Sequence, residues 1–235
     1  MGQIFDSPEI INLPPQRAGL VPPYAEDSIS ICDDGKGLHN IRKSTLQLVI
    51  WRRTLAPCLQ SWLRMLEADT LPHLRIVLQP GDVTQALNPI LDQQDVPTGA
   101  MRSALIADIT AIAASFAAIT RTDLVDMRLE RVDHDACWRF HRDCVETRLV
   151  TTYVGPATQY VMPTFADEAL AQQLDFNGPV EQLESSDVAI FKGSRAGANL
   201  GIVHRSPPIE GLGLTRLLLC LNTPSPASPP RWQPA

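Results

Sequence analysis

The chain has 235 residues, 44% hydrophobic and 20% charged, with a formal net charge of -6. That balance is globular and excludes wholesale disorder, and no run of about 18 apolar residues marks a membrane span. The acidic charge, with no basic stripe carrying interleaved aromatics, argues against nucleic acid and anionic membrane as partners.

Residues 1–6 have neither a basic region nor an apolar stretch, so no secretory signal is expected. Residues 1–43 carry Pro8, Pro14, Pro15, Pro22 and Pro23 without helical periodicity and read as an irregular N-terminal arm. Residues 44–123 read as mainly helical. Short strands are expected over 47–51 and 73–78. A helix over 55–68 places Leu55, Leu59, Trp62, Leu63 and Leu66 on one face. The clearest helix runs over 101–119, rich in alanine and free of internal Gly or Pro. From residue 124 the texture changes to short strands bounded by turn residues, over 127–132, 148–154, 188–191, 201–204 and 217–221. Such a run predicts a β-sandwich or barrel over 124–222, with the helical layer packed outside it. Residues 223–235 form a Pro/Ser-rich tail. The fold class expected is α+β. Five scattered cysteines, Cys32, Cys58, Cys137, Cys144 and Cys220, suit a reducing cytoplasm better than a disulfide framework.

The sharpest chemical feature is Phe140-His141-Arg142-Asp143. On a strand, period two puts His141 and Asp143 on one face. His204 lies on a later predicted strand. Two histidines and one carboxylate on one face of an octahedron form the facial triad of non-haem iron(II) oxygenases, with positions left open for other ligands. Arg148 and Tyr153 are pocket candidates. They lie on opposite faces of a continuous strand, so both point inward only if a bulge intervenes. Trp138 reads as packing, and His39 and His73 as incidental.

A rival constellation overlaps the triad. His134, Cys137, His141 and Cys144 have the spacing of a compact zinc site, but the segment lacks the glycines of a tight knuckle and leaves His204 without a role. Other chemistries find no support. Gly193-Ser194-Arg195-Ala196-Gly197 lacks the lysine and the strand-to-helix frame of a phosphate loop, and no G-x-S-x-G elbow occurs.

The order of strand, H-x-D, basic strand, apolar strand with Gly, His and then Arg resembles the Fe(II)/2-oxoglutarate-dependent oxygenase core. The pattern at residues 140–143, 148–158, 188–193 and 204–208 resembles, more closely, a bacterial family of proteins of unknown function. The resemblance implies a double-stranded β-helix (a cupin-like jelly roll) with a helical layer before it. It implies that His141, Asp143 and His204 hold iron(II), with zinc as the alternative. Arg216 would then hold the far carboxylate of 2-oxoglutarate, with Arg205 as a competitor for that role; Arg148 and Tyr153, where they face the pocket, are the candidates to contact cosubstrate or substrate. The function expected is a dioxygenase hydroxylating a small-molecule or peptide substrate in the cytoplasm. The second function expected is a non-catalytic metal-binding protein of zinc or iron homeostasis.

Overall fold

The computed structural model describes residues 28–198 and 200–234. The strands are β1 (Ile29–Cys32), β2 (Leu48–Trp51), β3 (Leu74–Leu78), β4 (Val125–Val132), β5 (Thr147–Val154), β6 (Gln159–Tyr160), β7 (Glu181–Gln182), β8 (Val188–Lys192), β9 (His204–Arg205) and β10 (Arg216–Asn222). The α-helices are α1 (Pro57–Met65), α2 (Val83–Gln93), α3 (Ala100–Thr120) and α4 (Ala166–Gln172).

The strands form a large sheet of order β1-β2-β8-β5-β10-β4-β3 and a small one of order β7-β6-β9. Every pair in the large sheet is antiparallel except β1 with β2. A backbone bridge between His141 and His204 sets the His141 segment beside β9.

Strand alternation gives the large sheet two faces with different tasks. Met127, Leu129, Leu149, Val188, Ile190, Leu217, Leu219 and Leu221 join Leu59 and Leu63 of α1 and Leu105, Ile109 and Phe116 of α3 in one core. Their neighbours Val150, Ala189, Phe191 and Cys220, with Leu48 and Ile50 of β2, point the other way and pack with Tyr160, Leu183 and Ile202. Each fully buried Leu, Ile or Phe contributes about 1.5–3 kcal/mol relative to exposure, so the larger helical face is the main stabiliser. The opposite face is free to carry polar groups.

α3 is long and apolar enough to cross a membrane by length and composition, yet Leu105, Ile106, Ile109, Ala113 and Phe116 are buried against its own fold. It is the core helix of this domain. Arg121 ends it in the left-handed region at φ 57°, its N–H donating to the Ala117 carbonyl.

Several elements differ from the sequence expectation. Residues 29–42, expected within an irregular arm, supply β1 and a 3-10 segment at Gly35–Arg42, while residues 1–27 of that arm lie outside the described residues. β1, β2 and β3 come from ahead of residue 124 and join the sheet that β4, β5, β8 and β10 build, so helices and sheet interleave along the chain. The segment 140–143, whose same-face reading supposed a strand, has only the single bridge at His141. The expected elements also lack α2, which carries Pro89 inside it; proline reads as a breaker until packing overrides it. The tail is tied down: Trp232 N–H donates to the Val77 carbonyl and Ser228 Oγ donates to Asp126 Oδ2 at 2.6 Å.

Candidate metal centre

The loop between β4 and β5 carries His141 and Asp143, and its anchors are local. Phe140 is buried with Val161, Phe176 and Val203, its ring edge-on to Phe176 at 5.6 Å. His141 and His204 exchange backbone hydrogen bonds, each N–H donating to the other's carbonyl at 3.0 and 3.1 Å. That reciprocal pair brings side chains distant in sequence to one place. The Asp143 carbonyl accepts from Ser194 N–H at 2.8 Å and Ser194 Oγ at 3.1 Å. Gly193 permits the approach: a Cβ there would stand 2.3 Å from the Val145 oxygen and 2.6 Å from the Asp143 oxygen.

His141, Asp143 and His204 each offer a ligand atom within 4.8 Å of the others, and among the described residues they form the one such group of three or more. His141 Nε2 lies 3.5 Å from Asp143 Oδ1, and His204 Nε2 lies 3.3 Å from Asp143 Oδ2. His141 Nδ1 contacts the Arg139 carbonyl at 2.8 Å, and His204 Nδ1 contacts the Ile202 carbonyl at 3.2 Å. A carbonyl can only accept, so both rings carry hydrogen on Nδ1. Both Nε2 atoms then present lone pairs to a carboxylate unless the rings are fully protonated. Phe191, 4.7 Å from the His204 ring, packs beside it.

Asp143 is 7% exposed and His204 6%. Burial pushes the Asp143 carboxyl up, but His141, His204 and Arg148 around it more than offset this and hold it well below the usual carboxylate range. The same contact with Asp143 raises the His141 pKa, with burial opposing. Asp143 Oδ2 is buried and has no properly formed hydrogen bond among the described residues. Three acceptor atoms converging on one point, one of them an orphaned carboxylate oxygen, are the donor set that a divalent cation satisfies. The Nδ1–H bonds to carbonyls are the outer support that histidine ligands require.

The other expected site residues divide. Arg216 is fully buried on the site face of β10, in step with Leu218, Cys220 and Asn222. Its Nε donates to the Pro156 carbonyl and its Nη1 to Ser206 Oγ, both at 2.7 Å, while Nη2 has no partner among the described residues. Burial pushes its pKa down to about 10, with Cys137 and Glu130 acting the other way. Arg148 is also on this face, but it meets Asp143: Nη1 lies 2.7 Å from Oδ1.

Tyr153 corrects the expectation. A register shift does occur, with Leu217 opposite Val154 and Leu218 opposite Thr152. Even so, the ring stays on the helical face and its hydroxyl donates to Asp108 Oδ2 at 2.7 Å. Arg205, the expected competitor of Arg216, is engaged elsewhere. It alternates outward from His204, donates to Gln159 Oε1 and lies 4.3 Å over the Phe140 ring. The rival zinc set is not assembled: Cys137 and Cys144 are exposed, and His134 pairs with Asp133.

Sequence reading assigned no role to Asn222 or Ser206. Asn222 accepts from Arg148 Nε at 2.8 Å. Ser206 stands in the segment 204–208 that carries the family resemblance, so its position beside His204 was a signal. Gly155 was another: at φ 78°, a Cβ there would stand 2.5 Å from the Thr215 oxygen and 3.1 Å from Arg216 Cγ. Two cavities, about 260 Å³ beside Trp51 and Asp108 and about 320 Å³ beside Arg42, Arg121 and Lys192, lie apart from the triad.

Among solved structures, the chain is similar to a dioxygenase for auxin oxidation from rice, at 12% identity and a TM-score of 0.45, covering 82% of this chain and 79% of that one. It is also similar to AviO1 from Streptomyces viridochromogenes, at 15% identity and a TM-score of 0.41, covering 85% of this chain and 99% of that one. No curated protein matches the chain. Residues 32–222 match a family described as a protein of unknown function, DUF1826.

Proposed function

The chain belongs to the DUF1826 family of proteins of unknown function, and from that footing we propose that it is a mononuclear non-haem iron(II), 2-oxoglutarate-dependent oxygenase. The strand itinerary supports the scaffold. From β4 onward the chain visits the large sheet, the His141 segment, the large sheet at β5, the small sheet at β6 and β7, then β8, β9 and β10 in alternation. Two facing antiparallel sheets visited in that order are the plan of a double-stranded β-helix.

The observation that carries the reading is a pair of unmet needs, one on the loop before β5 and one on β10. Among the described residues Asp143 Oδ2 has no hydrogen-bond donor and Arg216 Nη2 no acceptor, and both are buried. A buried polar atom without a partner costs about 1–3 kcal/mol, and more when charged, so a charged one at each place favours a group that arrives from outside. A divalent metal answers the first and a carboxylate the second.

In this reading His141, Asp143 and His204 hold the metal through Nε2, Oδ2 and Nε2. Arg216, steadied by Pro156 and Ser206, holds the far carboxylate of 2-oxoglutarate through the remaining arm of its fork. When bound, iron with 2-oxoglutarate and oxygen supplies the oxidising power for hydroxylation. The chain's own residues supply position and exclusion of water. The Nδ1–H bonds hold both rings in one tautomer, and Phe191 keeps the His204 side apolar. The substrate we expect is a small molecule or peptide in a reducing cytoplasm.

The test is anaerobic reconstitution with iron(II), followed by calorimetric titration with 2-oxoglutarate and measurement of its consumption in air. One metal per chain, with 2-oxoglutarate bound only to the loaded protein, is expected. Tight metal binding without any 2-oxoglutarate binding would replace this reading with a zinc or iron homeostasis protein.

A further inference from the structure

We propose that Arg148 is a positioning residue of the metal centre: it occupies Asp143 Oδ1, so that the carboxylate meets a metal ion through Oδ2 alone. The inference rests on the metal-centre reading above and adds a determinant to it.

The two oxygens of Asp143 have different surroundings. Oδ1 lies 2.7 Å from Arg148 Nη1, the distance of a charge-assisted bond. Oδ2 faces His204 Nε2 at 3.3 Å and receives no properly formed hydrogen bond among the described residues. A carboxylate can ligate through one oxygen or both. A guanidinium seated on Oδ1 competes with a cation for that oxygen by charge and by occupancy, and so disfavours two-oxygen ligation.

Arg148 is itself held at its other end. Its Nε donates to Asn222 Oδ1 at 2.8 Å. Asn222 is 6% exposed and is the register partner of Arg148 across β5 and β10. Asn222 Nδ2 lies 3.7 Å from Cys220 Sγ, so its amide is oriented in turn. The guanidinium thus spans from a buried amide on one strand to the ligand carboxylate on a loop, with a different nitrogen to each. Only a rigid planar fork does this; a lysine ammonium is a single point charge on a flexible stem. With two of its nitrogens committed in this way, Arg148 acts through Asp143 rather than as the principal holder of cosubstrate.

The probe is Co(II) alone, added to the full chain and followed by visible absorption, with circular dichroism as the check on folding. The wild-type chain is expected to bind one Co(II). Arg148→Gln is expected to bind it too, with the intensity of the Co(II) visible bands changed by about twofold or more as Oδ1 takes a position that solvent holds in the parent. Asn222→Ala keeps the arginine but releases its outer anchor, and a smaller change in the same direction is expected. Where Arg148→Gln fails to fold, Asn222→Ala decides. A purely structural ion pair would lower thermal stability and leave the Co(II) spectrum unchanged, and that result overturns the role of Arg148 while leaving the metal centre standing. A wild-type chain that binds no Co(II) overturns both.

Discussion

Arg216 and Ser206 meet across two strand ends, Nη1 donating to Oγ at 2.7 Å, and the bond leaves the buried Nη2 of Arg216 as the one arm without a partner among the described residues. A serine two residues past His204 thereby anchors an arginine from β10.

Arg216→Ala should leave one metal ion per chain and weaken 2-oxoglutarate binding by roughly 10- to 200-fold, because a charge-assisted bond of about 1.5–3 kcal/mol is lost. Arg216→Lys should recover only part of it, since a point charge on a flexible stem cannot keep the Pro156 and Ser206 bonds and meet the carboxylate in one planar arrangement. Calorimetric titration of the metal-loaded protein measures both. Equal affinity in all three chains would remove Arg216 from the cosubstrate site.

His141→Ala, Asp143→Ala and His204→Ala should each abolish tight metal binding while circular dichroism shows a folded chain. Cys137→Ser and Cys144→Ser should bind metal as the parent does, because both thiols are exposed and away from the three converging atoms. Metal content after gel filtration is the readout. Loss of metal in the serine variants would revive the compact zinc site.

Tyr153→Phe removes the hydroxyl that donates to Asp108, whose carboxylate keeps its second partner, with Arg53 Nη2 at 3.0 Å. A loss of about 0.5–1.5 kcal/mol in unfolding free energy is expected, with metal and 2-oxoglutarate affinities unchanged. Denaturant titration beside the binding assays checks this. A selective loss of cosubstrate affinity would return Tyr153 to the pocket.

Asp126 ties β3 and the tail to β4. Arg75 Nη2 donates to its Oδ2 at 2.7 Å and Ser228 Oγ donates to the same atom at 2.6 Å. Burial pushes this carboxyl up, while the bonds from Arg75 and Ser228 and the charges of Arg75 and Arg128 lower it by more. Its folded pKa is therefore below the unfolded value of about 3.9, and its stabilisation is present above that value and lost as pH falls through the folded one. Melting temperatures measured from pH 6 downward should show Asp126→Asn well below the parent at pH 6, the gap closing in strong acid. A gap independent of pH would assign the effect to packing.

Gly193→Ala should displace the loop that holds Asp143, because the added carbon has backbone oxygens rather than a flexible side chain in its way. Weaker metal binding is expected even though residue 193 holds no ligand atom. Co(II) titration measures it, and parent-like affinity would show that the loop yields without moving Asp143.

Residues 148–154, 188–191 and 217–221 were legible as strands because short β-rich or apolar runs bounded by turn residues are a local property of the chain. The H-x-D unit, His204 and Arg216 were legible as residue types in an order. What local pattern could not supply was the pairing. His141 sits at a single bridge rather than in a strand, and only its reciprocal backbone bonds with His204 bring Asp143 to both rings. Arg148 and Tyr153 looked equivalent as pocket candidates. The pleat of β5, with its register shift, sends Arg148 to Asp143 and Tyr153 to Asp108 on the other side of the sheet. α2 formed despite Pro89 because Val83, Ala86, Leu87 and Leu91 are buried in the core, a gain that propensity does not count. The sequence by itself therefore determined which groups were available and the face each strand offers. The tertiary structure decided which of them meet, because distances between groups far apart in the chain are set by packing and cross-strand hydrogen bonds rather than by neighbours in sequence.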